Sequence, residues 1–222
     1  MNTKYLDYEQ PAVTVDLVIF TVDHNILKVM LVKRADDPFA DCWSIPGGFL
    51  KAGESLEDAA ARVLKEKTGV KNVYVEQLYT FGDPDRDPRA RVITVTYFAL
   101  IPWKHLIQPE SNKITDLMWT SVDALPKLAF DHREIIQYGV QRLRAKATYS
   151  NIVYGLLPRH FSLSELQHIY EIILDEKLDK RNFRKRMLAT GLLQETGEKT
   201  ATGAHRPAML YKFKKMEIAF LE

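Results

Sequence analysis

The 222-residue chain carries 31 Lys and Arg against 29 Asp and Glu, a net charge of +2, and its 46% apolar content suffices for one large domain or two ordinary ones. A balance so near neutrality excludes a globally basic nucleic-acid or membrane binder, so any such face must be local. The single cysteine, Cys42, rules out an internal disulfide framework; the start MNTKYLDYEQ lacks the apolar run of a signal peptide and no stretch approaches a membrane span, which points to the cytoplasm.

In chain order, TVDLVIFTV and ILKVMLVKR are apolar strand candidates, and the turn-forming Asp23-His24-Asn25 between them predicts a hairpin. A PGG loop follows, then a helix: Ser55 is the expected N-cap with Asp58 three residues on, and Gly69 is the expected stop after Thr68. NVYVEQLYT and ARVITVTYFALI read as strands around the polar loop FGDPDRDPR, and LMWTSV as a shorter one. Asp131 and Glu134 have capping-box spacing at the start of a closing helix through IIQYGVQRLRAKA. Residues 1–147 therefore read as one α/β unit.

The pattern changes beyond it. TYSNIVYGLLPRH, with Gly155 and Pro158 as breakers, reads as a connector, which makes residues 148–158 a linker. Within residues 159–222, Ser162 and Glu165 form a capping box, and Leu166, Ile169, Tyr170 and Ile173 make one apolar stripe on the adjoining helix. Asp179 is placed to cap a second helix, KRNFRKRMLATG, ending at Gly191; LLQET and AMLYKF then pair as strands around GEKTATGAHRP. Helix, helix and two-stranded wing is the order of a winged helix-turn-helix.

Charge follows this division. Between Lys180 and Lys215 stand ten basic residues (Lys180, Arg181, Arg184, Lys185, Arg186, Lys199, Arg206, Lys212, Lys214 and Lys215), opposed only by Glu195 and Glu198. A solvated lysine-rich tail would have this composition. Clustering on the second helix and wing fits DNA better, because phosphates reward it. Lys180, Arg181, Asn182, Arg184 and Lys185 are the expected helix contacts, with Asn182 a candidate adenine reader, and His205 and Arg206 the expected wing-tip contacts.

Residues 48–70, GFLKAGESLEDAAARVLKEKTGV, resemble the Nudix pyrophosphohydrolase signature Gly-x5-Glu-x7-Arg-Glu-U-x-Glu-Glu-x-Gly-U, where U is aliphatic. Gly48, Glu54, Arg62, Leu64, Glu66, Gly69 and Val70 match in register, and strand order extends the resemblance over residues 11–147. It implies a Nudix α/β/α sandwich with a mixed sheet. In active members three carboxylates on one helix face hold Mg²⁺ against a diphosphate. Here those positions are Val63, Glu66 and Lys67, so the formal charge of the triad goes from −3 to 0. A lysine ammonium ~5 Å from Mg²⁺ would meet a repulsion of roughly 6–7 kcal/mol at an effective dielectric near 20. Glu66 is then either a residual metal ligand or an i,i+4 partner of Arg62. Val63 can widen the apolar face with Ala60 and Leu64, and Lys67 suits the last turn of a helix. Glu54, Glu57 and Asp58 are the carboxylates that could rescue a metal site. No catalytic residue and no required cofactor are expected, Mg²⁺ being implied only if hydrolase activity persists.

GDPDRDPRARVITVTY and AFDH at 129–132 resemble the ADP-ribose pyrophosphatases of the same family. Arg86, Arg89 and Arg91 either form a fork-like phosphate clamp or pair with Asp83, Asp85 and Asp87. With Gly47, Gly48 and Glu66 they make the expected effector site. Asp131 is read as a helix cap, and His132 as an ordinary surface histidine in preference to a catalytic one.

A degenerate Nudix unit followed by a winged helix is similar to the Nudix-related transcriptional regulators. That resemblance implies a homodimeric regulator, either a repressor of NAD metabolism or a regulator of sugar utilisation. It would bind operator DNA and respond to ADP-ribose or a related nucleotide or sugar metabolite. The alternative is a Nudix hydrolase acting on ADP-ribose or nucleoside-diphosphate sugars.

Overall fold

The computed structural model describes residues 8–70, 73–106, 117–200 and 207–221. Strands β1 (Ala12–Asp23) and β2 (Ile26–Lys33) form the expected hairpin. His24 and Asn25 both adopt positive φ (47° and 65°), the two-residue turn whose twist matches its strands. The long β1 organises the sheet. It runs parallel to β6 (Val92–Leu100) and antiparallel to β2 and to the short β4 (Gly47–Phe49). β5 (Tyr74–Phe81) extends the sheet beyond β6, while β3 (Trp43–Ser44) and β7 (Leu117–Ser121) extend it beyond β2. The result is a mixed seven-stranded sheet.

Side chains alternate along β1, and both faces are covered. Val15, Leu17 and Ile19 pack toward α1 (Leu56–Thr68), with Ala59, Ala60, Val63 and Leu64. Val18 and Phe20 pack toward α2 (His132–Tyr149), with Ile135, Ile136 and Leu143. Helix, sheet, helix is the sandwich the motif implied. Ser55 caps α1 by accepting from the Asp58 amide, and Gly69 ends it in the left-handed region at φ 69°. Asp131 departs from the expected capping role. It stands at the N-cap of α2 but makes no side-chain cap bond, because its carboxylate is turned to Arg86.

The second unit comprises β8 (Phe161–Ser162), α3 (Leu163–Leu174), α4 (Lys180–Ala189), β9 (Leu193–Lys199) and β10 (Met209–Phe213). Its sheet order is β8-β10-β9, and the two-residue β8 has no sequence signal of its own. The Ser162–Glu165 capping box is present in full.

The stretch read as a linker is not an exposed tether. α2 runs on to Tyr149, a 3-10 turn covers Ile152–Leu156, and Ile152, Val153, Tyr154, Leu156 and Leu157 are buried. They belong to one apolar cluster that also takes in Phe20 and Leu143 from the first unit and Tyr170, Phe183 and Phe213 from the second. Gly155 is needed there, since a Cβ would lie 2.8 Å from the Leu100 Cβ. Polar bonds fasten the same seam. The Arg144 Nε donates to the Ile173 carbonyl (3.0 Å) and the Tyr170 hydroxyl to the Ser150 carbonyl (3.2 Å). Asn151 brackets the last residues by donating to the Glu217 carbonyl and accepting from the Ala219 amide.

Candidate functional site

Two surfaces carry chemistry, one in each unit. The first is a cleft of about 430 Å³ over the edge of β1, β4 and the end of α1. Lys33, Arg34, Lys67, Arg86 and Arg89 line it, against Asp16, Asp36 and Asp87. Five cations to three carboxylates favour an anion. Phe49, 49% exposed, and Phe130 stand on its wall, with the Arg89 guanidinium 5.8 Å from the first ring and 5.7 Å from the second. Thr14 also lines it, and its buried Oγ1 has no hydrogen-bond partner among the described residues.

Backbone approach explains the glycine at the floor. Gly47 pairs with Asp16 in the β1–β4 ladder, and a Cβ on Gly47 would fall 1.8 Å from the Asp16 Oδ1. Asp16 itself is buried, and burial pushes its carboxyl up to about 6 although Thr94 and Arg86 pull it back. The Arg86 side chain, only 4% exposed, grips Asp131 at 2.8 and 2.7 Å and lies 3.9 Å from Asp16.

His132 is the largest departure from expectation. It is no surface histidine: 5% exposed, it lines the cleft and accepts the Ile45 amide at Nδ1, 3.1 Å away. Burial, then the guanidiniums of Arg86 and Arg34, press its pKa from 6.5 to about 3. Stability from a neutral His132 is complete above pH 6.5 and lost as pH falls toward 3, because only the unfolded chain takes up the proton. Asp16 acts oppositely, its contribution being lost as pH rises through 6. His132→Asn keeps an acceptor for Ile45 and has no proton to gain. The wild type is expected to lose about 2 kcal/mol more than this variant between pH 7 and pH 5. Parallel urea-melt stabilities across that range would contradict the assignment.

The second surface is α4. Phe183 and Met187 form its buried face, with Phe183 edge-on to Tyr170 at 5.4 Å, and Asp179 caps it by accepting from the Asn182 amide at 2.8 Å. Lys180, Arg181, Asn182, Arg184, Lys185 and Arg186 all face solvent. Among the described residues none of these five cations has an ion-pair partner. The wing-tip candidates His205 and Arg206 lie outside the described residues.

Similarity to known proteins extends over both units. A family model described as the NUDIX domain matches residues 10–139, and one described as the NrtR DNA-binding winged helix domain matches residues 153–213. The "ADPR responsive transcriptional repressor NtrR" of Acinetobacter baylyi is 40% identical over 218 residues, 96% of this chain and 86% of that protein. The chain belongs to the NrtR family of Nudix proteins. Among solved structures, Shewanella oneidensis NrtR complexed with a 27mer DNA is 40% identical with a TM-score of 0.84, covering 91% of this chain and 93% of that one. The NUDIX domain of the same Shewanella protein complexed with ADP ribose is 38% identical with a TM-score of 0.54, covering 64% of this chain and 99% of that one.

Within the Nudix frame, several expected effector residues are redistributed. Gly47, Gly48, Arg86 and Arg89 do line the cleft, but Arg91 does not: it donates to the Gly82 carbonyl at 2.7 Å and faces Glu9. The three-arginine fork is therefore not formed. Arg89 is held by Asp87 at 3.0 and 2.7 Å, and Arg86 by Asp131. Glu66 is also absent from the cleft lining. It sits 3.8 Å from Arg62 and lines the opposite flank of α1. Helical rotation explains this, since neighbouring residues on a helix point about 100° apart and Lys67 takes the cleft side.

The residues present do not suit the divalent cation that the fold implies. Val63, 1% exposed, is packed into the core beside Ala60 and Leu64. Glu54 is clasped by Arg62 at 2.6 and 2.9 Å, which holds its carboxyl down at about 2, and it also accepts the Lys51 amide. Among the described residues no group of three or more His, Cys, Asp or Glu could hold a metal ion. The Glu54–Arg62 pair staples the glycine loop to α1 and leaves no oxygen cage.

Sequence reasoning missed Asp16, Lys33, Arg34 and Phe130 as cleft residues. The signal was there for one of them: Asp16 is a charge inside the apolar run of β1.

Proposed function

We propose that the chain is an ADP-ribose-responsive transcriptional repressor. Its cleft takes the effector, and its winged helix binds operator DNA as a homodimer in the cytoplasm. The observation that carries this reading is the pairing, in one chain, of a cation-rich aromatic cleft lacking a metal cage with a solvent-facing helix of five cations that have no ion-pair partner among the described residues. The cations attract a diphosphate, while the exposed Phe49 offers a face for a purine. Among the described residues no helix is long and apolar enough to cross a membrane.

The two surfaces share a mechanical element. The start of α2 is anchored at the cleft by Arg86–Asp131 and His132–Ile45, and its later turns hold the second unit through Arg144–Ile173. An effector that displaces the start of α2 moves the helix that carries the DNA reader. It must bind the two arrangements with different affinity, since equal affinity shifts nothing. One winged helix reads few base pairs, so the reading includes two chains on a palindromic site with half-sites about 10 base pairs apart or a multiple of that. Sedimentation showing one chain per operator would remove the dimer. Operator affinity measured with and without ADP-ribose tests the reading as a whole.

A further inference from the structure

We propose that Lys67 takes the place of the divalent cation of this fold: its ammonium supplies the counter-charge for a diphosphate in the cleft, and the effector binds without metal. The inference rests on the reading that a diphosphate ester such as ADP-ribose occupies the cleft. It adds which residue neutralises that ligand and which ion is dispensable.

The other cleft cations are largely committed. Arg86 holds Asp131, Arg89 holds Asp87, Lys33 pairs with Asp41, and Arg34 donates to the Pro38 and Asp36 carbonyls while lying over Phe130. Lys67 is exposed, lines the cleft, and has no ion-pair or hydrogen-bond partner among the described residues. It stands in the last turn of α1, where the negative end of the helix repels a phosphate and stabilises an ammonium. A diphosphate brought there therefore needs a positive group between it and the helix.

In a metal-dependent Nudix site that group is the cation on its carboxylates. Here Glu54 and Glu66 face Arg62, and Val63 is buried. The acidic groups left on the cleft wall do not make a cage either: Asp87 is engaged by Arg89, Asp16 lies beside Arg86, and with the exposed Asp36 they form no metal-holding group among the described residues. Val63 and Lys67 each stand where a carboxylate ligand would, and Lys67 also brings a positive charge to the cleft side of the helix end. Lysine suits this task because its long stem carries a compact, rotatable charge.

Calorimetric titration of the full chain with ADP-ribose, in EDTA and in Mg²⁺, tests the proposal. The two dissociation constants are expected to agree within about twofold. Lys67→Gln is expected to weaken binding by on the order of 10- to 100-fold, with an unchanged melting temperature for the free protein. Lys65→Gln, on the opposite flank of the same helix, serves as the control and is expected to bind as the wild type does. Binding that requires Mg²⁺, or a Lys67→Gln chain as tight as wild type, overturns the inference while leaving the effector reading intact. Absence of binding in both buffers removes the effector reading and this inference with it.

Discussion

Arg86→Ala is expected to destabilise the chain by about 3–5 kcal/mol, the usual cost of breaking a buried ion pair from one side. The guanidinium is almost wholly enclosed and serves two carboxylates, Asp131 by a bidentate bond and Asp16 at 3.9 Å. Removing it strands both. Arg86→Lys is expected to recover little, because one ammonium cannot reproduce the fork. Removing both charges, as in Arg86→Met with Asp131→Leu, is expected to cost less than Arg86→Ala alone. Equilibrium unfolding that puts Arg86→Ala within about 0.5 kcal/mol of wild type would show the pair to be marginal.

On the DNA side, Arg181→Ala, Arg184→Ala and Lys185→Ala together are expected to flatten the dependence of log affinity on log salt. The slope should fall by about 0.9 unit for each phosphate that is no longer neutralised, near three units for the triple variant. Folding should be unaffected, since all three side chains are exposed and have no ion-pair partner among the described residues. Asn182→Ala is expected to behave differently, relaxing base preference by about 1–3 kcal/mol at one position while leaving the salt slope alone. A triple variant with the wild-type slope would show that α4 does not face the phosphates.

Much of this architecture was legible in the sequence because local chemistry dictates it. The β1–β2 hairpin follows from its turn residues, α1 from Ser55 and Gly69, and α3 from Ser162 and Glu165. Pairings across long separations could not be read. Arg86 meets Asp131 from 45 residues away, and His132 meets Ile45 from 87. From spacing alone, Asp131 was a cap and Arg86 either a clamp or a partner of the loop aspartates, whereas the two in fact pair with each other. The burial of residues 148–158 was not legible for a related reason. Gly155 and Pro158 break a helix, yet Ile152, Val153, Leu156 and Leu157 between and around them are core residues of the seam. Breakers mark the end of an element and carry no information on the burial of the next segment.

Coupling between the cleft and the winged helix is measured directly by fluorescence anisotropy of a labelled operator duplex. With the full chain at fixed salt, saturating ADP-ribose in EDTA is expected to weaken operator binding by roughly 5- to 150-fold. Operator is expected to weaken ADP-ribose binding by the same factor, as linkage requires. ADP-ribose that raises the melting temperature of the chain, and so is bound, yet leaves operator affinity unchanged would contradict that coupling.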